Sequence, residues 1–301
     1  MIPVHGALVL SLAAMLGGAV PAAADPLRVA TTFTVIADMA RNVGGTHATV
    51  ESITRPGAGI HSYQPTSGDL IRAIDADLVL SNGLNLELWY EPFLDHLGDG
   101  PTAVVSDGVT PLPINGGDAD GKPNPHAWMS LENARIYIDN IAAAMAAADP
   151  ANGPAYRANA EAYLLRLTRT VGPLRDAIRA LPPDRRWLVT SEGAFSYLAR
   201  DYGLTELFLW PINADAQGTP QQVRHVIDVM RRNDVPAIFS ESTVSDKPAR
   251  SVAAETGARY GGVLYVDSLS EPDGPVPSYL DLLRVTSQTI LDALDPEAQD
   301  G

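Results

Sequence analysis

Apolar and polar positions along the chain fall into two alternating rhythms. Residues 27–31 (LRVAT) form a short apolar run that reads as a buried strand. Val35-Ile36-Ala37-Asp38-Met39-Ala40-Arg41 then spaces its apolar side chains as a helix does, and Gly44-Gly45 supplies a stop. The same reading gives a strand over 48–53, a helix over 69–74, a strand over 77–80, a helix over 86–97 and a strand over 103–105. Strand–helix alternation of this kind predicts an α/β fold with parallel sheets covered by helices. Residues 111–124 (PLPINGGDADGKPN) read as a loop, and 154–181 as one long helix in which Gly172-Pro173 should introduce a bend or a break.

The second half repeats the first at a constant offset of 159. Val29-Ala30-Thr31-Thr32 falls on Leu188-Val189-Thr190-Ser191, Ala40-Arg41-Asn42-Val43-Gly44 on Ala199-Arg200-Asp201-Tyr202-Gly203, and Leu78-Val79-Leu80-Ser81 on Ala237-Ile238-Phe239-Ser240. Two similar α/β lobes are expected, 25–150 and 182–301, joined by a linking helix over 151–181, with a ligand held between them at the carboxyl ends of the strands.

The first 24 residues stand outside this pattern. An apolar run over 7–20 precedes Pro21-Ala22-Ala23-Ala24, a small-residue cleavage site, although no Lys or Arg precedes the run. About 14 apolar residues are short for a membrane span and suit a signal peptide, so an exported, periplasmic chain cleaved near Ala24 is expected. The 301 residues carry 21 Lys and Arg against 36 Asp and Glu, a net charge of -15, with no basic run to hold nucleic acid or an anionic membrane. Cysteine is absent, which excludes disulfides, thiolate metal sites, cysteine nucleophiles and a lipid anchor on an N-terminal cysteine.

Chemistry is therefore sought just after strands, where four residues stand out. His61 lies in the Gly-Ala-Gly-Ile-His loop after the second strand, and His126 follows Asn124-Pro125, whose proline biases Asn124 toward extended backbone. Glu192 follows the strand over 187–190, where a helix is about to begin, and Asp267 ends an apparent strand over 263–266. Two imidazoles and two carboxylates, two from each lobe, make a mixed N/O set for a divalent first-row metal. Each has a plainer reading: a surface histidine, a carboxylate at a positive helix N-terminus for Glu192, a turn residue for Asp267. Glu241, in Phe239-Ser240-Glu241-Ser242, is a rival strand-end carboxylate. His47, His96 and His225 fall at a strand start or in helical patterns. No H-E-x-x-H, G-x-S-x-G, P-loop or G-x-G-x-x-G pattern is present, so no enzyme class is indicated.

Gly59-Ile60-His61-Ser62-Tyr63-Gln64-Pro65, Asn124-Pro125-His126-Ala127-Trp128-Met129-Ser130, Thr190-Ser191-Glu192-Gly193 and Tyr265-Val266-Asp267-Ser268 resemble the metal-binding motifs of one family. These are the extracytoplasmic substrate-binding proteins of manganese, iron and zinc ABC transporters. Gly121-Lys122-Pro123-Asn124-Pro125-His126 and the run from Ser240 to Pro248 are similar to the manganese/iron branch. The resemblance implies two α/β lobes bridged by a rigid helix, one divalent ion between them held by His61, His126, Glu192 and Asp267, and an ABC importer permease as partner of a monomeric chain. Zinc members usually have a third histidine where Glu192 stands, and often a His-rich loop, whereas residues 111–124 hold none. Oxygen donors suit harder ions, so Mn²⁺ or Fe²⁺ is the expected cargo, with Zn²⁺ able to bind in vitro and a zinc-specific protein the alternative. A periplasmic metal-dependent enzyme is a weaker alternative, since four protein ligands leave little room for substrate. Leu131 stands where relatives often have proline, but Ser130 remains able to cap the helix that follows.

Overall fold

The computed structural model describes residues 25–89, 100–212 and 218–295. The segment read as a signal peptide lies outside them. In the first lobe β1 (Leu27–Thr31), β2 (Ala48–Ser52), β3 (Leu78–Ser81) and β4 (Thr102–Val104) form one parallel sheet in the order β2-β1-β3-β4. Helix α1 (Thr34–Gly44) buries Val35, Ile36, Met39, Ala40 and Val43 and ends where Gly45 takes a positive φ of 56°. Helix α2 (Ser67–Ile74) starts at a capping box in which Thr66 and Asp69 satisfy each other's backbone N–H. The helix expected over 86–97 differs in its described part, since residues 86–89 are not helical, with a turn at 88–89; the remainder, with His96, lies outside the described residues.

Helix α3 (Leu131–Ala148) is capped by Ser130, whose Oγ accepts from Asn133 N at 3.1 Å. It leads into α4 (Gly153–Ala180), a single helix of 28 residues that packs against elements of both lobes. Pro173 does not break α4. The proline removes a bond to the carbonyl of Arg169, and both residues lie on the exposed face of the helix, where the loss is cheapest.

The second lobe also carries parallel strands. Strand β5 (Trp187–Glu192) pairs in parallel with β6 (Thr205–Trp210), and β7 (Ala237–Glu241) with β8 (Arg259–Leu264). Here the strands form two hydrogen-bonded pairs rather than one sheet of four, and β5 lies beside β7, which sets the pairs in the order β6-β5-β7-β8. Helices α5 (Ser196–Tyr202), α6 (Pro220–Arg232), α7 (Lys247–Thr256) and α8 (Tyr279–Leu294) complete it, with His225 on α6. The strand expected over 263–266 is in fact β8, four residues earlier in its start, and Asp267 sits in the segment beyond it. Two glycines, Gly261 and Gly262, hid that start, because they carry no side chain to mark a face.

One buried cluster runs through both lobes. Phe33, Trp128, Tyr163, Tyr197, Leu264, Val266 and Tyr279 all belong to it. Hydrogen bonds cross with it: Trp128 Nε1 donates to Val266 O (2.9 Å), Leu269 N to Thr34 Oγ1 (2.9 Å), and Asp38 Oδ2 accepts from Tyr163 OH (2.9 Å) and Tyr279 N (3.0 Å). Burial pushes the Asp38 carboxyl up, against the pull of those two donors.

Candidate metal centre

Each of the four chosen residues is delivered by the end of a regular element or by a pinned loop. His61 lies in the loop between β2 and α2. Trp89 Nε1 fixes that loop by donating to Ile60 O (2.9 Å), and Tyr63 OH fixes it by donating to Asp69 Oδ2 (2.9 Å). His126 directly precedes the short 3₁₀ turn Ala127–Met129, whose three residues are all buried. Glu192 is the last residue of β5, and Asp267 follows β8 by three positions.

Three of the four, His61, His126 and Asp267, form a group whose possible donor atoms lie within 4.8 Å of one another, and Glu192 stands beside it, within reach of His61. His61 Nε2 lies 3.1 Å from His126 Nε2, 3.6 Å from Glu192 Oε1 and 3.9 Å from Asp267 Oδ2, and His126 Nε2 lies 3.5 Å from Asp267 Oδ1. Donors roughly 2.0–2.2 Å from one first-row ion stand about 3–3.5 Å from each other, so these separations leave room for a single ion. The side chains of His126, Glu192 and Asp267 are at most 1% exposed and that of His61 is 10% exposed, so the cluster opens to solvent on the His61 side. Asp267 Oδ1 is buried with no hydrogen-bond donor, and a cation would satisfy it.

The electrostatics prepare the donors unequally. Burial, helped by the neighbouring His61, holds the His126 pKa well below the usual histidine value, so this imidazole is neutral. Burial pushes Asp267 up, while His61 and a bond from Thr243 Oγ1 (3.4 Å) pull the other way. His126 Nδ1 stands 2.8 Å from Asn124 Oδ1, which orients the ring and turns Nε2 toward His61 and Asp267.

Glu241, the rival carboxylate, ends β7 beside the cluster but is engaged elsewhere: its Oε1 accepts from Ser191 N (3.0 Å) and Glu192 N (3.3 Å). Burial pushes its pKa up to about 8 despite those donors. His47 closes the turn before β2, with its ring at the edge of Tyr156, far from this chemistry in the fold. Sequence reasoning read Asn124 only as an extended residue before proline. The Asn-Pro-His spacing carried the signal, since an amide two residues before a histidine can reach its Nδ1.

Two parallel-sheet lobes, a helix along both and an N/O donor cluster between them define the class of two-lobed metal-binding proteins. The family model described as zinc-uptake complex component A, periplasmic, matches residues 29–293, and the chain belongs to this family. It is 57% identical over 267 residues to the iron-binding protein YfeA of Yersinia pestis, covering 89% of this chain and 86% of that protein. It is 32% identical to the manganese ABC transporter substrate-binding lipoprotein PsaA of Streptococcus pneumoniae, with 89% of each chain covered. The Mn-bound periplasmic metal binding protein from Candidatus Liberibacter asiaticus superposes with a TM-score of 0.84 at 47% identity, over 89% of this chain and all of that one. The periplasmic zinc binding protein TroA from Treponema pallidum shares the fold, with a TM-score of 0.82 at 24% identity.

Proposed function

We propose that this protein captures Mn²⁺ or Fe²⁺ outside the cytoplasm through His61, His126, Glu192 and Asp267, and delivers it to the membrane permease of an ABC importer. The observation that carries the reading is the grouping of His61, His126 and Asp267 from both lobes around one point, with Glu192 Oε1 3.6 Å from His61 Nε2 at its side. The names of YfeA and PsaA, an iron-binding and a manganese-transporter protein, support the choice of cargo. Two carboxylates offer up to four oxygens, which favours the higher coordination numbers of these ions over tetrahedral Zn²⁺. Release follows when the permease disturbs the ligands of one lobe. The chain acts as a monomer without a lipid anchor, after removal of its first 24 residues.

The test is metal content. Deleting the gene should lower cellular manganese or iron and impair growth when they are scarce, with Mn²⁺ or Fe²⁺ restoring it. A fall in zinc with manganese and iron unchanged would replace this reading with the zinc one. Tight Zn²⁺ binding in vitro does not decide the matter, since the Irving–Williams order places Zn²⁺ above both ions at most N/O sites.

A further inference from the structure

Asn124 is 1% exposed, and every polar atom of the residue is engaged. Its backbone N donates to Leu112 O (2.7 Å), and its carbonyl accepts from Tyr197 OH (2.8 Å). Its side-chain Nδ2 donates to Gly193 O (2.8 Å) and to Ser196 Oγ (3.3 Å), both in the second lobe. Its Oδ1 faces His126, accepting the backbone N–H at 3.1 Å with Nδ1 at 2.8 Å.

These contacts fix one another in sequence. Gly193 O carries no hydrogen, so the amide atom 2.8 Å from it must be the nitrogen. The oxygen is thereby turned to His126, and because an amide oxygen only accepts, Nδ1 must carry the hydrogen between them. A neutral imidazole has one N–H, so Nε2 is left with its lone pair, 3.1 Å from His61 Nε2 and 3.5 Å from Asp267 Oδ1. Gly193 is the residue after Glu192, and its own N–H donates to Trp210 O (3.1 Å), which ties this stretch of backbone to the end of β6.

We propose that Asn124 is a positioning residue that links the lobes: the peptide carbonyl after Glu192 orients its amide, and the amide holds His126 in the one tautomer that presents a bare Nε2 to the metal. This rests on the metal-site reading above. The ligand set of one lobe is thus made ready by the backbone of the other, and withdrawal of Gly193 frees the amide and the ring together.

The experiment uses histidine labelled with ¹⁵N in the full mature chain, with long-range ¹H–¹⁵N spectra of the metal-free protein at pH 7.5. It adds Mn²⁺ titration by calorimetry and Mn²⁺ release into a chelator. The wild type should show His126 only as the Nδ1–H tautomer; an Nε2–H tautomer would overturn the proposal without any variant. Asn124→Ala should mix the tautomers and weaken Mn²⁺ binding about tenfold or more, the range for partners of metal-bound histidines. Asn124→Asp keeps an acceptor for Nδ1–H but loses the donor to Gly193 O. It should retain the tautomer, bind Mn²⁺ more tightly than Asn124→Ala, and release it faster than the wild type. If folded Asn124→Ala keeps both the tautomer and the affinity, or if Asn124→Asp binds no better than Asn124→Ala, the residue is structural and the proposal falls. His126→Ala separates the two readings: unchanged Mn²⁺ binding there would sink the site itself, whereas lost binding there beside an intact Asn124→Ala would sink only this inference.

Discussion

Asp267 and Glu241 show how neighbours divide work between two buried carboxylates of similar sequence setting. Asp267 points an oxygen without a hydrogen-bond donor at His126, while Glu241 spends its Oε1 on the backbone N–H groups of Ser191 and Glu192. His61→Ala, His126→Ala, Glu192→Ala and Asp267→Ala should therefore each weaken Mn²⁺ binding about tenfold or more in calorimetric titrations. Glu241→Ala should cost less affinity than Asp267→Ala; a fully competent Asp267→Ala protein would remove that residue from the ligand set. Glu241 also gives a pH signature in metal-free protein. Its folded pKa of about 8 lies above the ordinary 4.5, so the folded state holds a proton that the unfolded chain releases. The contribution is present in full below about 4.5 and is lost as the pH rises through about 8. Glu241→Gln should leave stability near pH 4.5 little changed and flatten its decline toward pH 8.5 in urea melts; parallel curves for the two proteins would show that Glu241 is ionised when folded. At this scale the sequence pointed to residues that the fold does bring near one another, His61, His126 and Asp267 with Glu192 beside them, because motifs mark them where spacing alone could not. Asn124 was not legible, because its role depends on Gly193, 69 positions along and across the cleft.

Elements were legible where side chains advertise a face. Strand β1 matches its expected span, and α1 extends its expected one at both ends, because apolar residues at strand and helix spacing leave one way to bury them. Reading failed where tertiary contact, not pattern, makes the element. Strand β8 begins with Arg259-Tyr260-Gly261-Gly262, and an added Cβ on Gly261 would run into the Phe239 ring. The glycine lets β7 and β8 pack around that ring, beside a register irregularity at Ile238/Phe239. Gly261→Ala should consequently destabilise the protein by about 1–3 kcal/mol, the cost of overpacking a fitted core, read as a lower urea midpoint. A midpoint equal to that of the wild type would mean that Phe239 moves aside freely. The break allowed for at Pro173 does not occur, for the opposite reason: local chemistry argued for it, but Pro173 and Arg169 lie on the exposed face and the packed face of α4 holds the helix together.

At the scale of the molecule, the repeat at offset 159 foretold two similar α/β lobes, and both lobes do carry parallel strands, four in one sheet in the first and two parallel pairs side by side in the second. What no repeat could reveal is that the lobes share a core through Phe33, Trp128, Val266 and Tyr279. An ion bound between them stabilises both at once, by about 4 kcal/mol at a thousandfold excess over Kd. Saturating Mn²⁺ should raise the melting temperature by several degrees in a single transition at pH 7.5, and by less at pH 5, where protons compete for the donors. Separate transitions for the two lobes, or no shift in verified metal-free protein, would contradict this.

The shared core also bears on how long the empty protein lasts. A cleft that gapes like a hinged shell exposes linkers to cutting each time it opens, and a receptor waiting for scarce cargo spends most of its life empty. Here Trp128 and Tyr279 seal the seam from within, so a protease gains purchase on the main body only through openings that approach complete unfolding. Limited proteolysis of the metal-free protein should accordingly leave the main body intact until conditions approach those of global unfolding; early cuts inside the seam would show that it opens on its own.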